Sequence, residues 1–189
     1  MTRKVIAMFL AVSMCLSISS VAFAAKSSNL SPDDEALAHV FDDSYWESVY
    51  VTLDDGSVAK VDIHFDTEPA DSISPQSSLT PEHPVGTQKI TQVKIRNDQI
   101  GAPHALGSLL SSKQKQTLAN LATKAINNKA GIIIATAAKI LAAISTTNAA
   151  FGNSGFVITT TWTYSAHFIN SQGHNVYSWD LTKFNLQAY

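Results

Sequence analysis

Gly131-Ile132-Ile133-Ile134-Ala135-Thr136-Ala137-Ala138-Lys139-Ile140-Leu141-Ala142-Ala143 is an apolar run with one lysine set inside it. As a buried helix it makes this a small α+β protein; as a bilayer segment it makes it a membrane protein. A helix over residues 130–144 spans about 22 Å at about 1.5 Å per residue, against a hydrocarbon core of about 30 Å. It is too short to cross unaided. Ile132, Ile133, Ile134, Ile140, Leu141 and Ile144 together favour insertion by about 2 to 4 kcal/mol, and Lys139 opposes it by about 3 kcal/mol. The run is therefore expected as a packed helix at rest, with Lys139 reaching outward. These seven residues become membrane contacts only if their neighbours release them.

Those neighbours are a helix before and a hairpin after. Ser111 to Asn128 has Leu118, Leu121, Ala122, Ala125 and Ile126 at three-and-four spacing, with Lys113, Lys115 and Lys124 among the remaining positions. Asn127, Asn128 and Gly131 weaken the helix and predict a bend or short turn. After Gly155 the period becomes two: Phe156, Ile158, Thr160, Trp162, Tyr164, Ala166 and Phe168 share one face. A turn over Asn170–Asn175 and a returning strand with Tyr177, Trp179 and Leu181, continuing to Phe184, Leu186 and Ala188, complete an aromatic-rich hairpin. Trp162, Tyr164, Tyr177 and Trp179 are its candidates for surface contact, at a spacing that ordinary core also uses.

Toward the N-terminus, Lys89 to Arg96 predicts one further strand, stopped by Gly101-Ala102-Pro103. Residues 66–88 hold Pro69, Pro75, Pro81 and Pro84 among serines, threonines and acids, the composition of a linker. Before it, Val49–Leu53 and Val58–Phe65 alternate about Asp55-Gly56, a hairpin turn, so that Val61, Ile63 and Phe65 face a core. Ser31-Pro32-Asp33-Asp34-Glu35 starts a helix to about Asp43, with Leu37, Val40 and Phe41 on one side.

The first residues have the form of an export signal. Arg3 and Lys4 precede a mostly apolar Val5–Val21 and the small-x-small site Ala22-Phe23-Ala24. The expected product is secreted and begins near Ala25. Cys15, the one cysteine, lies inside the apolar core and follows Met14, against the pattern of a lipid anchor. The product then has no disulfide and must be held by packing or by a partner.

The formal charge of −2 conceals an asymmetry. Ala25 to Thr80 carries twelve acidic residues against Lys26 and Lys60, and Pro81 to Tyr189 carries Glu82, Asp98 and Asp180 against nine lysines or arginines. The two parts, at −10 and +6, meet either different partners or each other. Together these features predict an α+β fold in four parts: signal 1–24, acidic helix and β-hairpin 25–65, linker 66–88, and a basic domain 89–189 in which a helical hairpin packs on the aromatic hairpin.

Chemistry is sparse. Six histidines occur without a zinc spacing such as His-Glu-x-x-His. Alternation places Asp62, His64 and Asp66 on one strand face, a weak divalent-cation candidate beside the plainer reading of a solvent face. No Gly-x-Ser-x-Gly elbow and no phosphate-cradling glycine loop occurs, so neither catalysis nor a cofactor is expected. Basic residues are dispersed and the strand aromatics lack adjacent arginine, which disfavours nucleic acid.

In organisation the chain resembles the large exported bacteriocin-like proteins of Gram-positive bacteria, through its export signal, polar first half, Gly131–Ala143 helix and aromatic tail. No residue-level motif carries the likeness. It implies a secreted antimicrobial or membrane-active protein whose cationic half approaches an anionic membrane or cell envelope. The alternative is a secreted module that binds an envelope component or protein partner without membrane activity. Cleavage in the linker would make the acidic part a propeptide; its absence would make that part a domain.

Overall fold

Apolar residues at every second position of Val49–Val51, Val61–Ile63, Val93–Ile95 and Phe156–Trp162 can leave water together only if their strands lie side by side. The computed structural model, which describes residues 31–66, 82–101, 107–148, 150–152, 154–169 and 174–189, aligns them in one sheet. Five antiparallel strands run in chain order: β1 (Glu47–Thr52), β2 (Val58–Phe65), β3 (Gln88–Arg96), β4 (Gly155–Ile169) and β5 (His174–Ala188). The helices are α1 (Pro32–Ala38), α2 (Ser112–Ala130) and α3 (Ala137–Ser145), with a 3₁₀ turn at Asn97–Ile100. This is an α+β architecture.

Registers place the apolar rows together: Val49 lies opposite Val61, Ile63 opposite Val93, and Val93 opposite Ile158. Leu118, Leu121, Ala122, Ala125 and Ile126 of α2 and Ile140 and Ile144 of α3 are fully buried in one cluster with these strand residues and with Phe156, Trp162 and Tyr164. Gln92 and Lys94 alternate with Thr91 and Val93 and so point to the opposite face. There Ala36, Val40, Trp46 and Val157 form a smaller cluster. Strand β3 is buried on both sides as a result, polar residues included. Gln92 donates to the Pro32 carbonyl at 2.6 Å, and its own oxygen accepts from the Tyr45 hydroxyl.

The segments 25–65 and 89–189, expected as separate units, contribute strands to one sheet. β2 and β3 pair across the linker, and Pro32–Tyr189 is one compact unit. The expected export signal, the single cysteine and residues 67–81 of the expected linker lie outside the described residues, as do residues 170–173 between β4 and β5.

Three differences from the expected elements have local causes. The first helix ends at Ala38 rather than near Asp43, and Phe41 is exposed. The indole N–H of Trp46 donates to the carbonyl of His39 at 2.8 Å, and a turn over residues 39–45 replaces the last helical turns. Residues 131–143 do not form one helix. Gly131, at φ +67°, caps α2 in the left-handed conformation, and the Thr136 side chain accepts from Lys139 N–H to start α3. Finally, Gln88–Arg96 is the central strand, not a marginal addition to the sheet.

Two lysines and an asparagine of the second half cap carbonyls on the sheet's edge strands. Lys124 Nζ donates to the Thr52 carbonyl at 2.6 Å and Asn128 Nδ2 to the Tyr50 carbonyl at 3.2 Å. Residues four apart on a helix advance about 6 Å and residues two apart on a strand about 6.6 Å, so α2 can run along β1 and satisfy alternate outward carbonyls. At the other edge Lys139 Nζ donates to the Trp179 carbonyl at 2.9 Å and pairs with Asp180 at 3.2 Å. Capped edges resist pairing with other chains. Lys124 with Asp54, Lys129 with Glu47 and Lys94 with Asp62 also join the basic half to the acidic one. The two oppositely charged parts therefore meet each other.

Candidate functional site

Two features of the folded unit are not used up in holding it together. One is the loop between α2 and α3. Asn127 on the last turns of α2 donates through Nδ2 to the Ala135 carbonyl at 2.9 Å. Its Oδ1 accepts from the N–H groups of Ile134 and Ala135 at 2.9 and 2.8 Å. One side chain thus replaces the helical hydrogen bonds that the loop lacks and fixes its path. Ile134 is held inward, and the preceding two residues project: Ile133 is 82% exposed and Ile132 37%. Of the other membrane candidates, Ile140 and Ile144 are fully buried, Leu141 is half-buried, and Lys139 is committed to Trp179 and Asp180.

The second feature lies where β3 begins, on the sheet face that carries α2 and α3. Lys89 shares that face with Thr91, Val93 and Trp162 and is only 4% exposed. Its Nζ sits 5.0 Å from the centroid of Trp179 and has no hydrogen-bond or ion-pair partner among the described residues. Trp179 and Tyr164 are cross-strand neighbours with ring centroids 5.2 Å apart, and Tyr177 stacks on Tyr164 at 6.0 Å. His83 closes the group, 5.3 Å from both Tyr164 and Trp179. The Tyr164 carbonyl accepts from Gly86 N–H, and its hydroxyl accepts from Glu82 N–H. Burial, then the charge of Lys89, push the His83 pKa below its ordinary value, against the opposing effect of Glu82. Burial lowers the Lys89 pKa as well.

Of the surface-contact candidates, then, Tyr164, Tyr177 and Trp179 are brought together, with Tyr164 and Trp179 largely buried. Trp162 is not part of this surface. It is fully buried in the core, where its indole N–H donates to Thr160 Oγ1 at 2.7 Å. Lys89 and His83 were not among the sequence candidates. The available signal was a lysine placed in phase with Val93 and Ile95.

The Asp62, His64 and Asp66 set is already partnered within the fold. Asp62 accepts from Ser48 Oγ at 2.8 Å and pairs with Lys94 at 3.3 Å. His64 is 3.8 Å from Asp66 and meets the Tyr45 carbonyl through Nδ1 at 3.0 Å. No group of three or more His, Cys, Asp or Glu residues that could hold a metal occurs among the described residues. His64 instead ends a stack of three rings, with Tyr45 4.0 Å away and His39 4.6 Å beyond it. Burial, then the charge of Glu35, push the Tyr45 pKa up to about 12. Tyr45 is therefore a neutral donor to Gln92 near neutral pH and no base. A cleft of about 390 Å³ adjoins it, lined in part by Glu47, Phe65 and Lys129. No serine or threonine hydroxyl bonds a histidine nitrogen among the described residues, so no Ser–His pair of the catalytic kind is assembled there.

Of the nine basic residues in the second half, Lys94, Arg96, Lys124, Lys129 and Lys139 are engaged in ion pairs. Lys113, Lys115 and Lys183 remain for long-range attraction, together with the buried Lys89. No helix among the described residues is long and apolar enough to cross a membrane. Comparisons with protein-family models, with curated protein sequences and with solved structures find no match to this chain.

Proposed function

We propose that this is an exported, membrane-active protein of the bacteriocin-like kind that touches the bilayer first through the Ile132–Ile133 loop. The observation that carries the reading is the Asn127 brace, which leaves Ile133 out in water and Ile132 partly exposed on a fixed backbone. Burying the surface that both still expose would contribute about 2 to 3.5 kcal/mol, enough for weak reversible association and short of anchoring. The helical pair over the aromatic hairpin is the resting form. Exposing Ile134, Ile140 and Ile144 would cost at least as much again, so deeper insertion follows contact and does not precede it. With five of the nine cations already paired, approach depends less on net charge than the sequence suggests.

Dye release from vesicles of mixed phosphatidylglycerol and phosphatidylcholine tests the reading. The secreted protein should cause leakage, and Ile133→Asp, a change at an exposed position that leaves the core intact, should reduce it by about tenfold or more. Vesicles left intact at low salt by a wild-type protein that still binds whole cells would sink it. A secreted product beginning between Asp66 and Gln88 would separate the acidic part, with the edge strand β1, from the helices that cap it.

A second reading, a secreted envelope- or partner-binding module without membrane activity, is favoured by Lys89. A largely buried lysine whose ammonium lies over the Trp179 ring without an acceptor, beside Tyr164 and Tyr177, is a feature that a ligand could complete.

A further inference from the structure

We infer that Lys89, Tyr164, Tyr177 and Trp179 form a binding site for a ring-shaped ligand bearing one carboxylate, and that His83 occupies the ligand's place at rest. The inference rests on the binding-module reading and names the ligand class for its site.

Lys89 differs from three other lysines that the fold buries or half-buries. Lys94 has Asp62 and the Val40 carbonyl, Lys124 has Asp54, and Lys129 has Glu47. Each has an oxygen within reach. Lys89 is more than nine-tenths buried and has only the face of Trp179. An ammonium removed from water is costly to a fold unless an anion or several acceptors replace its hydration. A ring face compensates in part. The Lys89 ammonium is not sealed from solvent, and its open side is where a negative oxygen group would replace water.

The surroundings narrow what carries that group. One cation matches a monoanion in charge, and no arginine joins it in the cluster to give the bidentate contact that favours phosphate. The remaining walls are ring faces, which take the flat or C–H-rich side of a six-membered ring. His83 already behaves as such a ring. It lies against Tyr164 and Trp179 without a hydrogen bond among the described residues, and it is half-exposed on a segment tied down by Glu82 and Gly86. The ligand would take the ring contacts that His83 now makes, and swinging this side chain outward leaves the backbone hydrogen bonds to Tyr164 in place. Galacturonate and benzoate share the required chemistry, an acidic sugar in one case and an aromatic acid in the other.

The experiment is a titration of the secreted protein with each acid and with its methyl ester, followed by the NMR shifts of the Trp179 indole N–H and the His83 ring. At least one acid should bind saturably and its ester should not. His83→Ala should bind that acid about tenfold tighter, because the competing ring is gone, and Lys89→Met about tenfold weaker or worse. Saturable binding of galacturonate alone assigns the site to acidic sugars, and of benzoate alone to aromatic acids. Equal affinity for acid and ester, binding unchanged in Lys89→Met, or no saturable shift in either wild type or His83→Ala would overturn the proposal. Binding to isolated cell envelopes separates it from the reading beneath. Envelope binding retained without acid binding removes the site and leaves the module, whereas acid binding through Lys89 without envelope binding does the reverse.

Discussion

Lys89 and Lys94 stand on the same strand, both buried, both over an indole ring at 5.0 and 5.1 Å, and on opposite faces of the sheet. Lys94 also reaches Asp62 at 3.3 Å and the Val40 carbonyl at 3.3 Å. Its charge joins β2, β3 and the turn after α1. Lys89 has the ring alone. The same residue type in the same strand is a structural tie in one place and an unused charge in the other. What distinguishes them is not burial but whether the fold supplies an oxygen.

The contrast is broken most directly by removing each charge while keeping the chain length. Lys94→Met leaves Asp62 half-buried beside an apolar side chain and the Val40 carbonyl without its donor. Breaking a buried pair from one side costs about 3 kcal/mol. Urea unfolding should show that loss, and a change below about 1 kcal/mol would mean that the pair is solvated and Lys94 no tie. Lys89→Met should act with the opposite sign. It removes a partly desolvated charge and loses only the attraction of the Trp179 face, so the folded state should gain up to about 1 kcal/mol. A loss of similar size would show that Lys89 has an acceptor after all.

Neither lysine's place was legible from the sequence, although much of the fold was. The β1–β2 hairpin, the long amphipathic helix and the aromatic alternation from Phe156 were readable because each is set by residues near one another in the chain. Burial of Lys89 depends on the Trp179 ring brought over it from β5, and burial of Gln92 and Lys94 on what covers the second face of β3. The cover is α1 and the segment through Trp46, brought there by a chain reversal that local periodicity does not report. A lysine in an alternating strand therefore passed for a solvent position. The division of Gly131–Ala143 was written more plainly. Gly131 is a left-handed cap and Thr136 a helix start, yet the apolar run hid both signals by making one long helix look continuous. Asn127, read as a weak helical residue, fixes the loop only because its side chain reaches Ala135 and Ile134. The charge asymmetry was visible from the start. That the halves are one another's partners required the register that sets Asp62 beside Lys94 and the packing of α2 along β1.

The smallest expected effect is at His83, and it tests whether the Lys89 charge is felt across the aromatic group. The His83 pKa lies below its ordinary value of 6.5 in the folded protein, first through burial and then through Lys89, with Glu82 opposing. A base whose folded pKa is depressed binds its proton more readily when unfolded. Its contribution to stability is therefore complete above the unfolded value and is lost as pH falls through the folded one. In Lys89→Met the repulsion is gone while burial and Glu82 remain, so His83 should titrate at higher pH than in wild type, and stability should fall less on acidification. Lys94→Met should leave the His83 titration where it was, because Lys94 faces the other side of the sheet. Following the His83 ring proton by NMR against pH in the three proteins measures both shifts. A His83 curve that coincides in wild type and Lys89→Met would place the Lys89 ammonium in contact with solvent or a counter-ion, and would make it the equivalent of Lys94 rather than its opposite.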